Sequence, residues 1–104
     1  MSAQVDRFAW ERGLRDERIA LKAATVGVLY ALAPFLDPSG CGYASQPDLA
    51  KASRMSERSV RRHLDLAIAA GVLERVVRGH RRGDDIPLAS RYQATLPTEG
   101  GPER

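Results

Sequence analysis

The chain has 104 residues, a net charge of +3, and 43% hydrophobic and 28% charged residues, a composition typical of one small folded domain. Its single cysteine excludes a disulfide framework and a zinc site made of several cysteines. Its longest uncharged run has 14 residues, whereas a membrane-spanning helix needs about 20, and no segment resembles a signal peptide. We therefore expect a cytoplasmic protein without contact with a membrane.

Two helices are predicted before the first turn cluster of the chain. Within residues 1–14, apolar side chains recur at roughly helical spacing, and Gly13 can end that helix. A second helix is predicted to start near Asp16, whose carboxylate can cap it, with Leu21 on its buried side. Pro34 limits the far end of this helix, because proline disrupts the helical turn that precedes it.

Two further helices, each with a serine cap, are predicted in the middle of the chain. A turn over residues 37–40 and a brief strand over residues 41–44 precede Ser45, which is a good N-cap. The short helix after Ser45 is predicted to break near Arg54, and Ser56 is predicted to cap the next helix. The pattern thus predicts two helices joined by a tight turn.

The last predicted helix has the clearest pattern of apolar residues in the sequence. Its apolar positions recur at spacings of three and four and comprise Val60, Leu64, Ala67, Ile68 and Gly71. Arg58, Arg62 and Asp65 are predicted to point nearly opposite this stripe. Ser59 and Arg61 are predicted to lie on its flanks.

After Gly71 the periodicity changes from helical to alternating. Residues 72–78 are rich in β-branched side chains and predict a strand, and residues 90–96 alternate and predict a second strand. The polar loop 79–89 is predicted to join the two strands into a hairpin. Residues 98–104 are predicted to be a frayed tail.

Positive charge is concentrated in the second half of the sequence. Residues 1–40 carry five positive and five negative side chains, whereas residues 54–82 carry eight arginines and three acidic residues. A concentrated basic face is the footprint expected for a nucleic-acid partner. A solvated basic face without a partner is the alternative that charge alone leaves open.

The order of the predicted elements and several residue runs resemble the winged helix-turn-helix domains of bacterial regulators. The runs are Leu49-Ala50-Lys51, Met55-Ser56, residues 59–64 and residues 70–73. The resemblance extends over residues 21–96 and is closest to the winged domains of actinobacterial, phage and plasmid regulators and replication proteins. It implies a mainly α fold with a small β-hairpin wing. On this basis we divide the chain into an N-terminal helical extension (1–15), a winged helix-turn-helix domain (16–96) and a flexible tail (97–104).

The turn between the two capped helices departs from this resemblance. Arg54 stands where such turns usually carry glycine, and Ser53 stands where they usually carry leucine. A left-handed backbone at Arg54 would cost a residue other than glycine about 1 kcal/mol. Either the turn is tilted or Arg54 is held by a partner.

The candidate DNA-binding residues lie on the last predicted helix and on the hairpin loop. They are Ser56, Arg58, Ser59, Arg61, Arg62, His80, Arg81 and Arg82. Two arginines one turn apart on the helix can each donate two hydrogen bonds to guanine in the major groove, while the helix start and its flank are placed for phosphates. The loop arginines suit the negative potential of a narrow minor groove. The alternative is that these arginines contact only solvent, and Asp84 and Asp85, which follow the loop arginines, would repel phosphate.

We therefore expect sequence-specific binding of double-stranded DNA by a transcriptional regulator or a phage or plasmid control protein associated with the nucleoid. The alternatives are a replication-initiation or excision protein that binds DNA, and a winged-helix module that binds protein. We expect no enzyme and no cofactor, because we find no glycine-rich phosphate loop, paired acid-base carboxylates or nucleophile motif. We expect no metal site, because the spacing of Cys41, His63 and His80 fits no zinc pattern.

A further hypothesis concerns assembly. One domain of this size makes few base contacts, so useful specificity often requires two half-sites about 34 Å apart on the duplex. The N-terminal segment carries Phe8, Trp10 and Leu14, which are large and apolar. This segment is the hypothesised surface for a homodimer.

Overall fold

The computed structural model of the protein describes residues 2–16, 19–77 and 89–97. The helices in these ranges are α1 (Arg7–Gly13), α2 (Ala23–Leu32), α3 (Gln46–Ser53) and α4 (Glu57–Ala69). The strands are β1 (Ser2–Gln4), β2 (Cys41–Ala44), β3 (Leu73–Val77) and β4 (Ser90–Pro97). From α2 onward the order is helix, strand, helix, helix, strand and strand, and the predicted winged helix-turn-helix fold is confirmed.

The sheet is organised around β4, with which each of the other three strands pairs in antiparallel fashion. Tyr92 in β4 lies opposite Gly42 of β2 and opposite Arg75 of β3. The pairing of β3 with β4 confirms the predicted antiparallel hairpin strands, with an irregular register between Arg75 and Val77. The predicted loop of that hairpin lies outside the described residues, apart from its last residue.

One hydrophobic core lies between the helices and the sheet. The apolar stripe predicted on α4 faces this core: Val60, Leu64 and Ala67 are buried, and Ile68 packs against the core while remaining partly exposed. Helices α2 and α3 and strand β4 supply the facing side chains, among them Val28, Leu29, Leu32, Leu49, Tyr92 and Ala94. The periodicity of α4 is therefore explained by burial alone, which leaves its opposite face available for another role.

The turn predicted before β2 is held by the side chain of Asp37. Its carboxylate accepts hydrogen bonds from the hydroxyl and the N–H of Ser39 and from the N–H of Cys41. These bonds, the Ser39 hydroxyl first among them, hold the pKa of Asp37 below its usual value. The strand predicted over residues 41–44 follows directly as β2 and is confirmed.

The prediction that the second helix starts near Asp16 is wrong. The N–H of Asp16 donates to the carbonyl of Gly13 at 3.0 Å, and its own carbonyl accepts from the N–H of Ile19 at 3.0 Å. The backbone of Asp16 thus takes part in turns after α1. The chain is extended at Lys22, the N-cap residue before α2 begins at Ala23, and Leu21 packs against the core just before that helix. The predicted end is confirmed, because α2 stops at Leu32 and Pro34 lies in a 3-10 turn.

The N-terminal segment packs into the same core as the rest of the chain. Strand β1, which the sequence did not predict, pairs with the end of β4, where Ser2 lies opposite Pro97. Trp10 is fully buried, and its Nε1–H donates to the carbonyl of Val72 at 2.7 Å. Leu14 is also buried. The boundary between an N-terminal extension (1–15) and a winged helix-turn-helix domain (16–96) stays a prediction.

The burial of this segment corrects the hypothesised dimer surface. Trp10 and Leu14 cannot form part of such a surface, because both are covered by other residues of the same chain. Phe8 alone of the three is exposed, at 57%, with the guanidinium of Arg7 5.3 Å from the centre of its ring.

Across the ranges that the structure describes, no helix combines the length and the apolar content needed to cross a bilayer.

Candidate nucleic-acid interface

The two predicted serine caps are confirmed and set the start of α3 and α4. The hydroxyl oxygen of Ser45 accepts from the N–H of Asp48 at 3.2 Å, and that of Ser56 accepts from the N–H of Ser59 at 3.1 Å. Caps of this kind satisfy N–H groups that the first helical turn leaves unpaired. Ser56 and Ser59, both candidate DNA-binding residues, therefore already share one hydrogen bond with each other.

The turn between α3 and α4 is not tilted. Arg54 has a φ of 60° and a ψ of 36°, which is the left-handed conformation. Its N–H donates to the carbonyl of Ala50, and the N–H of Met55 donates to the same carbonyl at 3.1 Å. A left-handed residue at which N–H groups bond back to the last turn in this way ends a helix. Of the two alternatives at this position, the tilted turn is therefore wrong, and the second, that a partner holds Arg54, stays a prediction.

Arg58 and Arg62 lie on the exposed face of α4, opposite the buried stripe, as predicted. Neither side chain has a hydrogen bond or an ion pair with another described residue. Their guanidinium groups therefore remain available for an external partner, one helical turn apart on the same face. This is the arrangement that a helix needs in order to bury one side in its own domain and offer the other to a groove.

Arg61 is exposed on the flank of α4 and contacts the start of α3. Its Nε and Nη2 groups donate to the side-chain oxygen of Gln46 at 3.4 and 3.3 Å. The pair spans the two helices of the helix-turn-helix and orients the guanidinium. Gln46 was not among the predicted site residues, because the two residues are 15 positions apart and no periodicity connects them.

Asp65 is the acidic residue beside Arg58 and Arg62 on the exposed face of α4, and Arg75 of β3 partly compensates its charge. A side-chain oxygen of Asp65 lies 3.7 Å from Nη2 of Arg75. The guanidinium of Arg75 also lies 5.8 Å from the centre of the Tyr92 ring. Arg75 thus bridges α4 and the sheet, and it lessens the repulsion that Asp65 would exert on a phosphate near Arg58 and Arg62.

His63 is tied to the interior of the domain. Its Nδ1 atom lies 2.8 Å from the hydroxyl oxygen of Thr25, a buried residue of α2. Cys41, which was considered with His63 as a metal ligand, accepts a hydrogen bond from Nε of Arg91 at 3.0 Å. That bond raises the pKa of Arg91 further above its usual value, so the guanidinium stays charged. Among the described residues, no three His, Cys, Asp or Glu side chains are grouped so as to hold a metal ion.

The three candidates on the wing, His80, Arg81 and Arg82, lie outside the described residues. The strands on either side of them are β3 and β4, which pair with each other up to Val77 and Arg91. The site that the structure describes therefore consists of α3, the turn and α4. The wing residues stay a prediction from the sequence.

Comparison with known proteins gives one informative result. No protein-family model matches the chain, and no curated protein sequence matches it. A crystal structure of a MarR family transcription regulator is similar in fold. The TM-score is 0.51 and the sequence identity 25%, over 85% of this chain and 50% of that one. The chain therefore spans about half the length of this regulator.

Proposed function

We propose that the chain binds double-stranded DNA and acts in transcriptional regulation. The observation that carries this proposal is the exposed face of α4, where Arg58 and Arg62 stand without a described partner opposite the buried stripe. The fold places such a helix at the surface, as in winged helix-turn-helix proteins whose second helix enters the major groove. The likeness to a MarR family transcription regulator supports the same function.

Each candidate residue has a proposed role in this complex. Arg58 and Arg62 contact base edges in the major groove. Arg61, oriented by Gln46, contacts a phosphate of the DNA at the flank of α4. Ser56 and Ser59 position the start of α4 on the sugar-phosphate backbone of the DNA. His80, Arg81 and Arg82 of the wing contact the adjacent minor groove.

The biological context that we propose for this function follows from the resemblance of the sequence to phage and plasmid proteins. We propose a control protein of a mobile element that acts in the cytoplasm on nucleoid or element DNA. No catalytic residue, metal or cofactor takes part in this function. Binding of a protein partner by the same domain is the outcome that would replace it.

Duplex binding with a strong salt dependence is the expected result for this function. A labelled duplex of mixed sequence and about two helical turns is titrated with the protein at several salt concentrations, and anisotropy reports binding. The logarithm of the association constant is expected to fall linearly with the logarithm of salt concentration, by about 0.9 for each phosphate contacted. A folded protein that binds no duplex even at low salt would contradict the proposal and favour a protein partner.

A homodimer on DNA is expected to use the exposed side of α1. Two copies on half-sites about 34 Å apart would double the base contacts, and Phe8 is the remaining exposed residue of the hypothesised surface. Light scattering of the free protein and of its DNA complex measures the assembly. Phe8→Ser is expected to shift any dimer towards monomer, and a wild-type protein that is monomeric both free and on DNA would remove the hypothesis.

A further inference from the structure

Arg54 combines an unusual backbone with an exposed charge. Among the described residues, it is the single one other than glycine with a positive φ. A left-handed conformation brings the Cβ of an ordinary residue too close to the backbone, whereas glycine adopts it freely. Arginine is therefore an unfavourable choice at this position as far as the fold alone is concerned.

The backbone requires this conformation whichever residue is present. The N–H groups of Arg54 and Met55 both donate to the carbonyl of Ala50 and so end α3. Met55 is then placed against the core, and Ser56 caps α4 directly afterwards. Glycine would make the same backbone bonds without the steric cost, so the arginine side chain contributes nothing that this turn needs.

The side chain of Arg54 also has no role inside the domain. It is exposed, and no hydrogen bond or ion pair joins its guanidinium to any residue in the part of the chain that the structure describes. Two more exposed cations lie close to it in sequence, Lys51 in the last turn of α3 and Arg58 in the first turn of α4. Glu57 is the one acidic residue among them. The turn that leads into α4 thus carries three exposed cations against one carboxylate, which leaves its surface with a net positive charge.

We propose that Arg54 contacts a backbone phosphate of the duplex that α4 enters. This inference rests on the proposed function and adds a binding residue on the turn to those on the helix. Guanidinium groups bind phosphate through two parallel, charge-assisted hydrogen bonds, which suits an arginine at the start of the helix. A contact of this kind positions the helix on the duplex and carries no sequence information of its own.

Replacing Arg54 by glycine separates the cost to the fold from the benefit to binding. Arg54→Gly is expected to unfold at the same temperature as the wild type or a higher one, because the strain is removed. At 0.1 M salt its affinity is expected to fall about eightfold, equally on preferred and scrambled duplexes, and its salt slope to decrease by about 0.9, as for the loss of one phosphate contact. Arg54→Asn, which tolerates the left-handed backbone and has no charge, is expected to bind as weakly.

Lys22→Ala is the control, because Lys22 is an exposed cation before α2, outside α1, α3 and α4, and its removal changes the net charge equally. It is expected to bind like the wild type. Wild-type affinity and salt slope in Arg54→Gly would overturn the contact while leaving the proposed function in place. An equal loss in Lys22→Ala, or a lower unfolding temperature in Arg54→Gly, would also overturn it. A wild-type protein without duplex binding would instead remove the proposed function, and this contact with it.

Discussion

Trp10→Ala is expected to destabilise the domain by about 3–5 kcal/mol, the cost typical of truncating a large buried aromatic side chain. Trp10 is fully buried, and its Nε1–H donates to the carbonyl of Val72 at 2.7 Å. The truncation leaves a cavity, and it leaves that carbonyl with only the longer bond from the N–H of Thr95, at 3.4 Å. Since whole domains are stable by about 5–15 kcal/mol, we expect most of the stability to be lost. Equilibrium urea unfolding followed by circular dichroism measures the change.

Phe8→Ala is the matched control for this experiment. Phe8 lies on the same helix but is 57% exposed, so at a protein concentration at which the chain is monomeric its truncation is expected to change the free energy of unfolding by no more than about 0.5 kcal/mol. If Trp10→Ala lost as little as Phe8→Ala, the N-terminal helix would not belong to the cooperative core. Residues 1–15 would then behave as the separate extension that the sequence predicts.

The burial of Trp10 was not predictable from the sequence, because it depends on contacts between distant residues. Trp10 and Val72 are 62 positions apart, and β1 is a three-residue strand whose partner is the end of β4. A strand this short has too few residues to show an alternating pattern, and helical spacing in α1 does not say which side is covered. The prediction of a helix start near Asp16 was wrong for a related reason. A capping residue marks a place where a helix can begin, whereas packing decides where the helix forms.

The elements from β2 onward were predictable because their signals are local. Ser45 and Ser56 each bond to an N–H three residues later, and the spacing of buried residues on α4 follows from one helix on one core. The change of period at Gly71 marks the point where α4 gives way to β3, and Gly71 itself has a φ of 80°. Such features depend on a few neighbouring residues, which a sequence displays directly.

The candidate site likewise combines residues whose position the sequence predicts with contacts that depend on how the elements pack. Helical geometry alone places Arg58 and Arg62 opposite the buried stripe, and the structure agrees. The contacts of Arg61 with Gln46 and of Asp65 with Arg75 join different elements and depend on how these pack. These contacts decide which charges on α4 are already compensated within the chain. The structure therefore shows which arginines on α4 lack a partner among the described residues, and it leaves the predicted exposed face of α4 unchanged.

Alanine at Arg58 or Arg62 is expected to cost about 1–3 kcal/mol on the preferred duplex, because each guanidinium can make two hydrogen bonds with the edge of one guanine. The preferred duplex is first obtained by selection from random sequences. Each variant is then expected to lose preference at one or two base pairs, because the lost bonds are to bases and not to phosphates. Salt titrations of wild type and variants on the preferred and scrambled duplexes measure both effects.

Arg61→Ala is the matched control on the same helix, because Arg61 is exposed like the other two but lies on the flank, where Gln46 orients it. We expect Arg61→Ala to weaken binding to both duplexes alike and to lower the salt slope by about 0.9. If Arg58→Ala and Arg62→Ala showed this same uniform loss with sequence preference intact, α4 would hold the duplex without reading it through these side chains. Selectivity would then have to come from the wing or from the shape of the DNA, since both of these can distinguish sequences without contacts from α4 to bases.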